Sequence, residues 1–222
     1  MNYLKDIILM SVLVVLVVNG TPIPSVHSEV LTSEWTSGEE LAINSFSTKP
    51  RPSTKWEQII KMLVHEVTTF RDQQFVEEFQ MPLENMSSFA EHQVPSIPQH
   101  LTKTPCFSNY SKEACLQEIS RGLQVYQVLL QHVQTEYPQS NVIPMVRDHA
   151  NVLIGLVIGK MKAVVVESLP ASEKEQVLGE VSTATEWHKK TSVHAILRDL
   201  RHFLVDTKRA LCRMGKKGEG CQ

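Results

Sequence analysis

The chain has 222 residues and a formal net charge of −2, so its length fits one domain that buries a sizeable core. The weak negative charge argues against a nucleic-acid-binding protein, which would present a strongly basic face. Basic residues are scattered, apart from a cluster between Arg198 and Lys217.

The N-terminus predicts a signal peptide at residues 1–20. Lys5 precedes an apolar run from Ile7 to Val18, which is short for a membrane span and ends in a Gly- and Pro-containing stretch. Val18 and Gly20 are small enough for a cleavage site after Gly20, and an uncleaved anchor is the alternative. We therefore expect a secreted, extracellular protein whose mature chain does not insert into a membrane.

Secretion changes how the cysteines are interpreted, because an oxidising compartment favours disulfides. Pairing Cys106 with Cys115 is the local choice among several possible pairings, and it leaves Cys212 with Cys221 as a less secure second bridge. A zinc site is the competing interpretation, but the chain has no Cys-x-x-Cys pair.

Residues 21–53 are rich in Ser, Thr and Pro, which predicts a flexible N-terminal arm. Helical patterns follow within residues 54–214, and residues 215–222 predict a flexible tail. In the first pattern, apolar residues recur every three or four positions from Trp56 to Phe70, with Ser53 or Thr54 as the cap. In the second, an apolar stripe runs from Leu116 to Tyr137.

The third pattern starts near Pro144 and reaches Leu169. It is apolar almost all round between Val152 and Val166, which predicts a helix that is buried on most sides or lies against an overpassing loop. Its Gly155 and Gly159 are interpreted as small residues that let a neighbouring helix approach closely.

Two further helices complete the pattern. A short one, capped by Ser172, is expected in the connection that follows the third pattern. The fourth long helix has an apolar face from Trp187 to Leu211 and stops at Gly215.

The fold class predicted from these patterns is all-α, because no stretch alternates like a strand with hairpin signals. Helix lengths of this kind suit a long-chain four-helix bundle. The connections are long, short and long in chain order, which favours the up-up-down-down topology.

Motifs that would indicate catalysis or a cofactor are missing from the sequence. His65-Glu66 begins a string like the zinc-protease motif, but Thr69 occupies the position of the second His. His188, His194 and His202 share a helix without the spacing of a ligand pair. We expect neither an enzyme nor a cofactor or metal site.

Binding to a partner is the alternative that remains, and the candidate binding residues are concentrated on the fourth long helix. Basic residues near a helix C-terminus complement the helix dipole, which accounts for Lys208 to Arg213 but not for Arg198 and Arg201. Trp187, at the start of that helix, fits a core position and an exposed anchor equally well.

The stretch from Cys106 to Leu130 reads C-F-x7-C-x6-G-L-x2-Y-x3-L, which resembles the signature of the interleukin-6 and granulocyte colony-stimulating factor family of cytokines. The cysteine loop is one residue shorter than the family usually has. Residues 186–214 resemble the last helix of the interleukin-6 branch, and residues 152–163 resemble its third helix. The resemblance spans roughly residues 55–214 and points to a divergent, non-mammalian member.

The resemblance implies a cytokine that is a monomer when free and binds two kinds of receptor chain. The α-receptor would contact Phe107 and Tyr110 of the cysteine loop and three basic residues, Arg198, Arg201 and Arg209. A shared signal-transducing chain would contact the first and third helices near Met62 and Glu66. A second copy of that chain would contact Trp187. The outcome would be intracellular kinase signalling in immune and acute-phase responses.

The chain departs from the family pattern in two places. The upstream cysteine pair of the family is missing between residues 70 and 105, so only Cys106–Cys115 carries over. Cys212 occupies the position of an expected basic receptor contact, and Arg213 is its nearest basic replacement.

Two sequons in the predicted mature chain, at Asn85 and Asn109, are candidate glycosylation sites. We expect low occupancy at Asn109, since a glycan there would lie inside the α-receptor contact. Two alternatives to the proposed ligand remain open: another long-chain cytokine closer to granulocyte colony-stimulating factor, and a secreted helical carrier of apolar ligands.

Overall fold

The computed structural model describes residues 53–98, 100–162, 168–182 and 185–215. Every regular element in these ranges is helical: α1 (Lys55–Phe79), α2 (Lys112–Glu136), α3 (Val142–Ile158), α4 (Ala171–Ser182) and α5 (Glu186–Met214), with 3-10 segments at Leu83–Phe89 and Leu101–Lys103. The predicted signal peptide, the arm up to residue 52 and the tail after Gly215 lie outside the described residues, so those predictions stay untested.

The ends of the long helices follow from their capping residues. At the start of α1, the backbone N–H of Thr54 donates to a carboxylate oxygen of Glu57 at 2.6 Å, which is one half of a capping box. At the start of α2, the Ser111 hydroxyl accepts from the backbone N–H of Ala114. α2 ends at Glu136, ahead of Pro138, and α5 ends at Met214, ahead of Gly215, as the sequence predicts.

The predictions for α3 and α4 need correction. α3 ends at Ile158 with Gly159 as its C-cap, short of the predicted end at Leu169. A Cβ atom on Gly155 would meet nothing within 4 Å, so this glycine does not serve a close helix approach in the described structure. α4 begins at Ala171, which places Ser172 inside its first turn instead of at the cap.

Contacts between the helices establish the topology. The hydroxyl of Tyr137, just after α2, donates to Glu78 near the C-terminal end of α1 at 3.0 Å, so α1 and α2 run parallel. α5 runs opposite to α1, because Lys190 near its start pairs with Glu78 at 2.6 Å, whereas Arg201 further along reaches Thr68 at 3.2 Å. α3 follows α2 through a short link and packs back against it. The predicted up-up-down-down four-helix bundle is confirmed.

One close approach shapes the centre of the bundle. The ring of Phe203 on α5 lies against Gly122 of α2, where an added Cβ would come within 2.3 Å of the ring tip. The same ring packs against Tyr126, one turn along α2, at a centroid distance of 5.3 Å. Gly122 of the sequence signature is therefore a packing residue that brings α2 and α5 close together.

No helix among the described residues has both the length and the apolar character needed to cross a lipid bilayer.

Candidate receptor-binding surfaces

A disulfide fastens the loop between Cys106 and Cys115 to the start of α2, which confirms the predicted pairing. The Cα atoms of the two cysteines are 4.6 Å apart, and both residues are fully buried. Within the loop, the backbone N–H of Ser111 donates to the carbonyl of Pro105 at 3.1 Å. Asn109 takes a positive φ of 49°, a conformation that Asn adopts more readily than most residues. The loop is thus held in one shape by its own bonds.

The aromatic side chains of this loop meet the C-terminal end of α5. Phe107 is half-buried against the core, whereas Tyr110 is 42% exposed. The guanidinium carbon of Arg213 lies 6.0 Å from the ring centroid of Phe107 and 5.1 Å from that of Tyr110. Both distances suit a cation–π contact. We call Phe107, Tyr110, Arg209 and Arg213 the loop–α5 surface.

The two outer arginines of α5 differ in how far they are engaged. The side chain of Arg209 is 66% exposed and donates to the nearly buried carboxylate of Asp206 at 3.2 Å, so most of its donors face outwards. Arg201 is half-buried and donates through Nε to the hydroxyl of Thr68 on α1. Arg209 is therefore better placed than Arg201 to reach a partner.

Arg198, a predicted α-receptor contact, is engaged within the chain. An arginine has five N–H donors. Those of Arg198 are all taken up within the chain: two by the carboxylate of the neighbouring Asp199, and three by the carbonyls of Phe89, Ala90 and His92. Its side chain is only 14% exposed. In this arrangement the loop after α1 and Asp199 together occupy all five donors.

Trp187 lies at the opposite end of α5 and is exposed over 58% of its surface. Of the two positions that the sequence left open, core and exposed, the structure shows the exposed one. The indole is supported from below by Phe79 at the end of α1, at a centroid distance of 5.3 Å, and by Phe89 of the 3-10 segment at 6.0 Å. The rings of Phe79 and Phe89 are themselves 4.4 Å apart. We call Phe79, Phe89 and Trp187 the Trp187 surface.

A buried histidine underlies the Trp187 surface. His194 packs against Phe75 at a centroid distance of 5.1 Å, and its Nδ1 lies 3.3 Å from the amide oxygen of Gln74. Burial, with smaller contributions from the charges of Arg71 and Arg198, lowers the pKa of His194 to about 4. The imidazole is therefore neutral at physiological pH and acts as a packing residue.

The face predicted on the first and third helices is less distinct. Met62 and Glu66 are half-buried on α1, and Met62 packs against the core. α1 and α3 are neighbours in the bundle. Val152 on α3 is an exposed apolar side chain that the sequence analysis did not single out. It would join Met62 and Glu66 as a candidate contact on this face.

The remaining predictions concern sites of other kinds. Among the described residues, no group of three or more His, Cys, Asp or Glu side chains is placed to hold a metal ion. Cavities of about 430 and 450 Å³ lie side by side between α2, α4 and the loop before α2, and another of about 400 Å³ lies between α2 and α3. Charged side chains such as Arg121, Glu173 and Arg147 line them, which does not favour a carrier of apolar ligands. Cys221 lies outside the described residues, so its pairing with Cys212 stays a prediction.

Local sequence patterns do not identify the residues that support the predicted anchors. The pattern assigned neither Phe79 nor Phe89 to a site, although the Phe75–Phe79 spacing indicates one helix face. The role of Phe89 has no local signal, because its partners are distant in sequence.

The chain is similar to known proteins over most of its length. The family model described as Interleukin-6/G-CSF/MGF family matches residues 27–214. The chain is 65% identical to Interleukin-6 of Oncorhynchus mykiss over 96% of both chains, and 34% identical to Interleukin-6 of Paralichthys olivaceus over 79% of this chain and 71% of that one. Identity to Interleukin-6 of Bos taurus is 27% over 90% of both chains. The higher identity to the fish proteins agrees with the prediction of a non-mammalian member.

Proposed function

The chain belongs to the Interleukin-6/G-CSF/MGF family, and from this premise we propose that it is a secreted ligand that binds two kinds of receptor chain. It is a cytokine resembling interleukin-6 and not an enzyme. The first partner would be a specific α-receptor, the counterpart of the interleukin-6 receptor α chain. The second would be a shared signal-transducing chain.

The observation that carries this proposal is the separation of the two aromatic surfaces on one rigid helix. Trp187 and Arg209 lie on α5 about 33 Å apart, at a rise of about 1.5 Å per residue. A monomeric ligand that brings two different proteins together needs two sites that do not overlap. The loop–α5 surface and the Trp187 surface meet that requirement.

The loop–α5 surface suits the α-receptor. Exposed Tyr and Arg side chains are the residue types that dominate the energetics of protein interfaces. The disulfide and the cation–π contact hold Phe107 and Tyr110 in place before binding, which lowers the entropy lost on association. Arg209 and Arg213 supply exposed positive charge that would pair with acidic residues of the receptor.

The Trp187 surface suits a copy of the shared chain. A largely exposed Trp resting on two Phe rings is a preformed apolar anchor of the kind found at interface hot spots. The face of α1 and α3 around Met62, Glu66 and Val152 would meet another copy. Binding at these surfaces would bring receptor chains together, so that their cytoplasmic kinases act on one another.

Paired variants test the proposal by measuring binding to the recombinant α-receptor and, in its presence, to the shared chain. Arg209→Glu should abolish α-receptor binding. Because the new carboxylate would face Asp206, Arg209→Gln separates loss of the cation from that repulsion. Trp187→Ala should leave α-receptor binding unchanged and lose recruitment of the shared chain and signalling in receptor-bearing cells.

The controls distinguish a lost contact from misfolding. Lys174→Glu makes the same charge reversal at an exposed position of α4 and should leave both binding steps intact. Equal loss of both steps in Arg209→Glu and Trp187→Ala, with altered circular dichroism, would indicate misfolding. Normal signalling by Trp187→Ala would contradict the proposed role of the Trp187 surface. Absence of signalling by the wild-type protein would contradict the proposed function as a whole.

A further inference from the structure

Arg198 binds the loop after α1 through its guanidinium. Its position on the surface of α5 does not by itself indicate this contact. Its guanidinium donates to three carbonyls within four consecutive loop residues: to Phe89 at 2.9 Å, to Ala90 at 3.2 Å and to His92 at 3.0 Å. Asp199 holds the guanidinium from the other side at 2.8 and 2.9 Å. A planar fork with five donors is needed for this pattern, and lysine does not have one.

The loop that Arg198 holds is anchored separately after His92, because Val94 is buried in the core and the backbone N–H of Ser96 donates to Glu180 at 2.9 Å. The 3-10 segment before it has fewer such attachments. The 3-10 segment Leu83–Phe89 contains no fully buried residue. Its main apolar contact is the ring of Phe89, which lies between the end of α1 and the start of α5, 4.4 Å from Phe79 and 5.3 Å from Phe75. Few buried contacts predict a segment of low local stability, whose position depends on its polar attachments.

Arg198 and Trp187 lie on the same face of α5, since eleven residues correspond to about three helical turns. The segment that Arg198 binds therefore passes along the face that also carries Trp187. Phe89, whose own carbonyl accepts from Arg198, packs under the indole at 6.0 Å. The guanidinium of Arg198, three turns along α5 from Trp187, is therefore connected through Phe89 to the packing beneath the Trp187 indole.

We propose that Arg198 is a positioning residue for the Trp187 surface: by holding the carbonyls of residues 89–92, it keeps Phe89 under the Trp187 indole. The role rests on the proposed function, in which Trp187 contacts the shared signal-transducing chain. It replaces the direct α-receptor contact that the sequence predicts for Arg198.

Hydrogen exchange of the full mature chain measures the positioning effect without any receptor. The amides of Ala90 and His92 are hydrogen-bonded to the carbonyls of Ser87 and Phe89, so they report opening of the loop. Arg198→Lys keeps the charge and removes the fork, and should raise exchange in residues 83–92 about tenfold. Exchange in residues 116–130 of α2 should stay unchanged. Arg201→Lys, which loses one hydrogen bond to Thr68, is the matched control and should leave the loop as in the wild type.

Binding of the same variants completes the test. Arg198→Lys and Phe89→Ala should each weaken recruitment of the shared chain about tenfold and leave α-receptor binding unchanged, and the double variant should be no weaker than either. Unchanged loop exchange in Arg198→Lys would overturn the proposal, and so would a loss of α-receptor binding by that variant. Should Trp187→Ala itself retain recruitment of the shared chain, the proposed function fails, while the exchange data still decide whether Arg198 positions the loop.

Discussion

The guanidinium of Arg213 lies 5.1 Å from the ring centroid of Tyr110 and links the end of α5 to the cysteine loop across the surface of the bundle. The contact joins a residue from the last turn of the last helix to one that precedes α2. Arg213 thus places a cation beside Cys212, which occupies the position where the family resemblance led us to expect a basic contact.

Arg213→Ala should weaken α-receptor binding by at least two- to fivefold, because an exposed cation–π contact contributes roughly 0.5–1 kcal/mol. Arg213→Lys keeps a cation over the ring and should lose less. The measurement is equilibrium binding to the recombinant α-receptor. Binding of the Ala variant equal to that of the wild type would show that Tyr110 does not depend on Arg213.

Removing the cysteine bridge with Cys106→Ala and Cys115→Ala together should lower the free energy of unfolding by about 2–3 kcal/mol, since the short closed loop restricts the unfolded chain. The variant should also bind the α-receptor more weakly, because Phe107 and Tyr110 would no longer be held in place. Denaturant unfolding and binding measure the two effects. Ser108→Ala, within the same loop, is the control that keeps the bridge.

Gly122→Ala should destabilise the bundle by roughly 1–3 kcal/mol, because its Cβ would lie 2.3 Å from the ring tip of Phe203 inside a packed core. Gly155→Ala is the matched control on α3, where a Cβ meets nothing within 4 Å. That change should stabilise by roughly 0.5–1 kcal/mol, because alanine favours the helix. Thermal unfolding compares the two variants, and equal effects would contradict the close packing of α2 on α5.

Stability should fall on acidification, and His194 should account for part of the fall. Its pKa is lowered from 6.5 to about 4 by burial, so the unfolded chain takes up a proton before the folded chain does. This contribution is fully present above pH 6.5 and is lost as the pH falls to about 4, at up to about 1.4 kcal/mol per pH unit.

Urea unfolding of the wild type and of His194→Phe between pH 7.5 and pH 4 measures that loss. The Phe variant removes the titrating group and should show a shallower decline. Burial also lowers the pKa of His92, His132 and His202, so some decline should remain in both proteins. Identical pH dependence of the two proteins would contradict the role of His194.

The two sequons should differ in glycan occupancy. Asn85 is exposed in the 3-10 segment, whereas Asn109 lies inside the disulfide-closed loop beside Tyr110. Glycopeptide mass spectrometry of the secreted protein should find a glycan at Asn85 and little at Asn109. Asn85→Gln should then remove most of the glycan mass, and full occupancy of Asn109 would contradict its place in a receptor contact.

The helices themselves could be predicted from the sequence with good accuracy. The apolar stripe from Leu116 to Tyr137 repeats with the helical period, and the residues that cap or end α2 and α5 lie next to them in the chain. The prediction was wrong about the end of α3, where the apolar sequence continues past Gly159 although the helix ends at Ile158. Apolar composition does not indicate where a helix ends, whereas Gly159 stands at the end that the structure shows.

The candidate site, like the helices, was predictable from the sequence only in part. The family resemblance singles out Phe107, Tyr110, Arg209 and Trp187 as contact residues, and the fold leaves Tyr110, Arg209 and Trp187 exposed. For Arg198, the residue type indicated a side chain suited to recognition, but the sequence did not indicate which partner it binds. An arginine on a helix surface has the same sequence signal whether its donors face solvent or hold a loop.

Most of the helices, the closed cysteine loop and the chemical nature of the residues available for recognition were predictable from the sequence, because these follow from neighbours a few positions apart. Which of those residues are exposed depends on contacts between distant parts of the chain. The carbonyls that occupy Arg198 come from more than 100 positions earlier, and the rings that support Trp187 come from the end of α1 and the loop beyond it. Contacts over such separations depend on how the long connection crosses the bundle, and no local pattern specifies that path.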